Sequence, residues 1–205
     1  MSPAPALRRP SPDDPPALHD RAMDNLQFIR DTMERAGAFT AVPGWGGVAI
    51  GATALVTTYL ARIQPSFDRW MTVWFVEAAL GLVLAGWAVH RKATRAGVPL
   101  LSGPGRRFAL NFAPAMVVGG ILTLVLYRAG VFQAIPGVWL LLYGTGVVAG
   151  GAFSVPVVPA QGLALMLTGT VALFAPVAWR DYFMAFGFGL LQIAFGYVIA
   201  RRYGG

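Results

Sequence analysis

Cysteine is absent from the 205 residues, histidine occurs twice, and only 12% of the side chains are charged. The missing cysteine excludes disulfides, thiolate metal sites, iron–sulfur ligation and cysteine nucleophiles. His19 and His90 are too far apart, and too poor in neighbouring carboxylates, to form a metal site. No Ser, His and acid grouping recurs as a nucleophilic triad would require. The sequence thus carries no signature of an enzyme, a metal or a cofactor. The charged fraction is about half of the roughly 25% usual in soluble domains, which excludes an ordinary soluble domain. What remains is 56% apolar, with 25 glycines and 6 tryptophans and a mean hydropathy of +0.59. Membrane helices tolerate glycine and place tryptophan at the headgroup level, so the composition is that of an integral membrane protein.

Sixteen basic residues against nine acidic ones give a net charge of +7. Nucleic-acid binding is not expected, because no basic stripe interleaves with exposed aromatics. The bases instead collect at helix ends and in one loop, as orientation charges do.

Residues 1–16 hold six prolines and no periodic apolar pattern, which reads as an extended arm. Residues 17–38 change character: Leu26, Ile29, Met33 and Ala36 recur at helical spacing with charged residues on the other faces. This predicts an amphipathic cytoplasmic helix with one apolar seam. Four acids and three bases leave its polar face near neutral, unlike the Lys- and Arg-rich face of a lipid-surface anchor. Leu26, Ile29 and Met33 are therefore expected to dock on protein, either a partner or the chain's own membrane domain.

From Pro43 onward six apolar segments follow, each near the 20 residues that a hydrocarbon core of about 30 Å requires. They are placed at 43–62, 70–90, 107–127, 134–153, 156–175 and 180–200. Short connections make three helical hairpins within a bundle covering 43–202. The expected fold is an all-α integral membrane protein of six transmembrane helices. The stretch from Arg91 to Arg107 carries five bases and no acid, which by the positive-inside rule sets it in the cytoplasm. Twelve bases then fall on that side, against Arg62, Arg69, Arg128 and Arg180 on the other. The expectation is a multi-pass protein of a bacterial inner membrane with both termini cytoplasmic and the lipid bilayer as its first partner.

A G-x-x-[AT]-L core recurs at Gly51–Leu55, Gly120–Leu124 and Gly169–Leu173, consistent with parallel repeats of the hairpin. The glycine-punctuated three-hairpin layout over about residues 43–202 resembles the short-repeat, six-helix bacterial membrane family associated with acid resistance. The segment Met33-Glu-Arg-Ala-Gly-Ala-Phe-Thr-Ala-Val-Pro-Gly-Trp-Gly-Gly47 and the ending Ala-Arg-Arg-Tyr-Gly-Gly are more closely similar to uncharacterised bacterial six-helix proteins. That likeness implies the fold and no activity.

Glu77 is the one ionisable side chain well inside a predicted span. A buried carboxylate costs several kcal/mol in hydrocarbon unless protonated, paired or facing a wet cavity, so Glu77 must point into the bundle. It is either a proton or cation site or a carboxyl hydrogen-bonded between helices. Asn111, Tyr143 and Gln192 are the other intramembrane polar candidates and, with Thr145 and Tyr197, the partners expected for it. Trp45, Trp70, Trp139 and Trp179 fall near span ends, where aromatic-belt anchors sit. Gly47-x-x-x-Gly51 and Gly146-x-x-x-Gly150 permit close helix crossings, expected within the bundle. Two functional readings follow: a non-catalytic accessory, structural or regulatory subunit that associates through residues 17–38 and the bundle surface, or a small-solute or ion channel or transporter with Glu77 in its path.

Overall fold

The computed structural model describes residues 23–29, 43–96, 103–152 and 154–203. The chain separates into two units, Met1–Gly37 and Ala38–Gly205. In the first, residues 23–29 are helical, and Leu26 and Ile29 are both more than half exposed. The arm at 1–16, Met33 and the remainder of the expected 17–38 helix lie outside the described residues.

The second unit is all-helical among its described residues. Six of its helices are long and apolar enough to cross a membrane: Gly44–Arg62, Phe67–Arg91, Gly105–Arg128, Phe132–Gly151, Val157–Phe174 and Val177–Tyr203. These are the first to sixth spans below, and the protein is a multi-pass membrane protein. The boundaries fall within a few residues of those expected. The second and third helices run further than their apolar stretches, to Ala96 and from Gly103; Pro104 falls in the first turn of the third, where its missing N–H leaves no helical bond unmade. The connection after the fourth span is a tight turn, with Ser154 N–H donating to Gly151 O and Val158 N–H to Val155 O. After the third span, Gly130 takes a left-handed φ of 71°, the region open to glycine without steric cost.

The chain reverses as three hairpins, but the closest packing crosses hairpin boundaries. The fourth span packs most extensively on the fifth, and the first packs on the sixth more than on its hairpin partner. Neighbours in space therefore run second, first, sixth, fifth, fourth, third. The reason is glycine placed seven residues apart. Gly44 and Gly51 of the first span meet Gly196 and Gly189 of the sixth; a Cβ on Gly51 would stand 2.7 Å from the Gly189 carbonyl oxygen, and one on Gly196 2.8 Å from that of Gly44. Gly162 and Gly169 of the fifth span meet Gly144 and Gly137 of the fourth at 2.6 and 2.8 Å by the same measure. The recurring G-x-x-[AT]-L core acquires a meaning here. In each seam its glycine abuts the opposing backbone, and its leucine, Leu55 or Leu173, covers the partner glycine, Gly189 or Gly137. The copy at Gly120 faces open space and makes no such seam.

Without a hydrophobic force between helices in lipid, this close approach lets dispersion hold the bundle together. The second and third spans lie outside the seams. Only 11% of the most apolar stretch of each is buried, against 33% to 39% for the other four.

Candidate functional site

The sixth span is irregular where the seams converge. Residues Ala185–Leu191 form a π-helix, a wider coil that is rare and often found at functional sites. Its Gly187 packs under Leu140 of the fourth span and its Gly189 under Leu55 of the first. Helix geometry resumes at Gln192, which the π-helical segment delivers into the interior at 5% exposure.

Two buried polar clusters flank that segment. In the first, Glu77 is 7% exposed and is held by the first span. Thr53 Oγ1 lies 2.8 Å from Glu77 Oε1, and Thr57 Oγ1 donates to Oε2 at 2.9 Å. The two threonines are one helical turn apart, so their hydroxyls share a face and reach both oxygens of one carboxyl group. Thr53 also approaches its own Ile50 carbonyl at 2.9 Å. None of the expected partners, Asn111, Tyr143, Thr145, Gln192 and Tyr197, is hydrogen-bonded to Glu77. Thr145 bonds back to Leu141 O, and Tyr197 accepts from Arg201. Gly81, on the Glu77 face, receives the Ile50 side chain rather than another backbone.

The second cluster joins three spans. Gln161 Nε2 donates to Gln192 Oε1, and Gln192 Nε2 donates to the Tyr143 hydroxyl at 2.9 Å. The fifth, sixth and fourth spans are thereby linked through amides whose alternative in hydrocarbon is an unmade bond. Tyr143 also belongs to a continuous row of rings, Phe67, Trp70, Trp74, Phe188, Tyr143, Phe112 and Phe108, with successive centroids 5.2 to 6.1 Å apart. The row fills the space between the second, sixth, fourth and third spans. Phe112 and Phe108 occupy the slots left by Gly146 and Gly150, so both G-x-x-x-G motifs serve contacts inside the bundle.

Asn111 stands apart. It is exposed on the third span and makes no hydrogen bond among the described residues. Two of the four expected tryptophan anchors are corrected as well. Trp70 is 2% exposed and donates to Asp181 Oδ1 at 2.7 Å, with the Arg180 guanidinium 4.4 Å from its ring centre. Trp139 donates to Thr123 Oγ1 at 2.8 Å. Both tie helices together, because each faces a polar group on a neighbouring span. Trp45 and Trp179 are exposed at span ends as expected. At the Arg180 end, the Tyr127 hydroxyl donates to Asp68 Oδ1 at 2.8 Å, joining the second and third spans there.

Sequence reading found Glu77, Tyr143 and Gln192 but missed Thr53, Thr57 and Gln161. The i, i+4 threonine pair in Thr53-Ala-Leu-Val-Thr57 was the available signal; nothing in the sequence marked Gln161 as the partner of Gln192. No group of metal-binding side chains occurs among the described residues. No protein-family model, curated protein or solved structure matches the chain.

Proposed function

We propose that this protein is a non-catalytic integral membrane subunit, a structural or regulatory part of a larger assembly in a bacterial inner membrane. One observation carries the reading: among the described residues, the buried Thr57, Glu77, Thr123, Gln161 and Gln192 all bond to a neighbouring helix. Both oxygens of Glu77 are engaged by Thr53 and Thr57, and Gln161, Gln192 and Tyr143 bond to one another. The two clusters lie on either side of a seam in which Gly51 and Gly189 leave no room for a single methyl group. Such an interior fixes the bundle, while the second and third spans offer two long faces for association. The exposed Leu26 and Ile29 supply a docking seam outside the membrane, which Met33 continues in sequence.

Isolation from native membranes in mild detergent should recover a stoichiometric complex, and Ile29→Asp should reduce recovery of any partner held through that seam. Reconstitution supplies the opposing test. Solute or ion flux through proteoliposomes that Glu77→Gln abolishes would replace the subunit reading with the transporter reading. The proposed orientation, with both termini and the Arg91 to Arg107 stretch cytoplasmic, is tested in this cysteine-free chain by single substitutions. Ser66→Cys should react with an impermeant thiol reagent in intact cells and Ser102→Cys only after permeabilisation; the reverse pattern inverts the topology.

A further inference from the structure

The subunit reading leaves open what meets the third span; two exposed rows on it keep the same spacing, one of Arg106, Leu110, Ala113, Val117, Gly120 and Leu124 and one that holds Asn111, and only the second carries an amide. Arg107, Asn111, Pro114, Val118, Ile121, Val125 and Arg128 are all exposed and alternate at spacings of four and three. This is the a and d pattern that keeps one helix facing another along a 3.5-residue repeat. The 22 residues from Arg107 to Arg128 span about 31 Å of helix, close to the thickness of the hydrocarbon core. The stripe thus begins and ends with a guanidinium at headgroup level and is otherwise apolar apart from Asn111. That amide has no partner among the described residues, and Pro114 has no N–H to offer the Leu110 carbonyl one turn before it. In hydrocarbon an unmet amide is a cost that a neighbouring helix relieves.

We infer, building on the subunit reading, that the protein forms a parallel homodimer through this face, with the two Asn111 side chains paired across a twofold axis along the membrane normal. An amide carries a donor and an acceptor in one group, so two copies related by a twofold satisfy each other without any further polar residue. Pairing of a position with its own copy occurs only when the helices run parallel, and one orientation in the bilayer makes them parallel. Asn111, Val118 and Val125 occupy a positions, where β-branched residues favour two strands and a single asparagine fixes the register. Arg107 and Arg128 come opposite their own copies at the two membrane surfaces, where lipid phosphates separate the like charges; they bound the contact and do not strengthen it.

The test uses the full-length, cysteine-free chain in phosphatidylcholine vesicles. Val118→Cys and Val125→Cys, on the stripe, should each form a disulfide-linked dimer under mild oxidation. Val117→Cys and Leu124→Cys, exposed at 60% and 53% but off the stripe, should not. Asn111→Val is exposed and leaves the internal bonds of the bundle intact. It should weaken dimerisation about tenfold in a fluorescence energy-transfer dilution series, the change that about 1.4 kcal/mol of interhelical amide pairing produces. Equal cross-linking on and off the stripe, or a monomer at every dilution, would overturn the inference. In native membranes, cross-linking of Val118→Cys to a different protein would overturn the homodimer while leaving the subunit reading in place. Glu77-dependent flux would remove the subunit reading whatever the cross-links show.

Discussion

Between the first and sixth spans, and again between the fourth and fifth, glycine marks where two backbones meet; on the second and third spans, Gly86 and Gly120 have nothing within 4 Å of where a Cβ would stand. The same residue type thus does two unrelated things in one bundle. In the seams the nearest neighbour of six of the eight glycines is backbone, which cannot rotate away, while Gly189 and Gly137 lie under Leu55 and Leu173. On the flanks the neighbour is whatever surrounds the protein. The lesson is that glycine content alone does not locate the helix contacts of a membrane protein. Pairing at seven-residue intervals on both partners does, and here Gly44 and Gly51 with Gly189 and Gly196 repeat the arrangement of Gly162 and Gly169 with Gly137 and Gly144.

Substituting leucine at one glycine of each kind gives the largest expected effect. Gly51→Leu and Gly169→Leu drive a branched side chain into the facing backbone and should each cost more than about 3 kcal/mol, overpacking without a rotamer escape. Gly86→Leu and Gly120→Leu should stay within about 0.5 kcal/mol. Equilibrium unfolding in mixed micelles measures all four. A seam variant as mild as a flank variant would mean that the backbones do not approach as closely as described.

Glu77 comes next, because it joins a flank helix to a seam helix. Glu77→Ala removes the acceptor from Thr53 and Thr57 together and opens a void, an expected loss of about 2 kcal/mol. Glu77→Gln should lose less than about 1 kcal/mol. The carboxamide can accept from Thr57 and donate to Thr53, whose own single proton is then free for the Ile50 carbonyl at 2.9 Å. Thr57→Val alone should cost about 0.6 kcal/mol, the average for interhelical bonds in a membrane bundle. If Glu77→Gln proved as damaging as Glu77→Ala, the carboxyl would be acting through charge rather than through these two bonds.

The difference between seams and flanks also explains what could be read from sequence. The six spans were legible because hydrocarbon thickness imposes a length and an apolar composition on any helix that crosses it. The burial of Glu77 was legible for the same reason. Its partners were not: Thr53 and Thr57 lie on the hairpin neighbour, but which face of the first span meets the second is set by how the first packs on the sixth, which is distant in the chain. The G-x-x-[AT]-L repeat was visible but could not be ranked, as Gly120 carries the motif without a seam. The π-helical stretch at Ala185–Leu191 had no signature beyond two alternating glycines, because it arises from the fit of the sixth span between the first and fourth. Trp70 and Trp139 sit near span ends in sequence, and only their hydrogen bonds to Asp181 and Thr123 distinguish a tie from an anchor.

The smallest expected effect is that of Trp74→Phe, read against Trp70→Phe; the two tryptophans stand one turn apart on the second span, each lying between flank and interior. Trp70 donates to Asp181 and stacks 5.2 Å from Phe67. Trp70→Phe keeps a ring in the row but strands the carboxylate, whose remaining neighbour is Arg180 at 3.6 Å. The expected loss is about 1 to 2 kcal/mol. Trp74 has the same ring neighbours in kind, Trp70 at 6.0 Å and Phe188 at 6.1 Å, but its indole N–H is buried with no acceptor among the described residues. Phenylalanine there preserves the ring contacts and removes the unmet donor, while giving up part of the ring's contact area. The two terms are of similar size, roughly 1 kcal/mol each, so Trp74→Phe should be neutral within about 1 kcal/mol, and clearly milder than Trp70→Phe. Unfolding of the two variants side by side in the same micelles decides the matter. Equal losses would show that Trp74 N–H does find an acceptor in the membrane, and the row of rings would then be held by two polar ties along the second span rather than one.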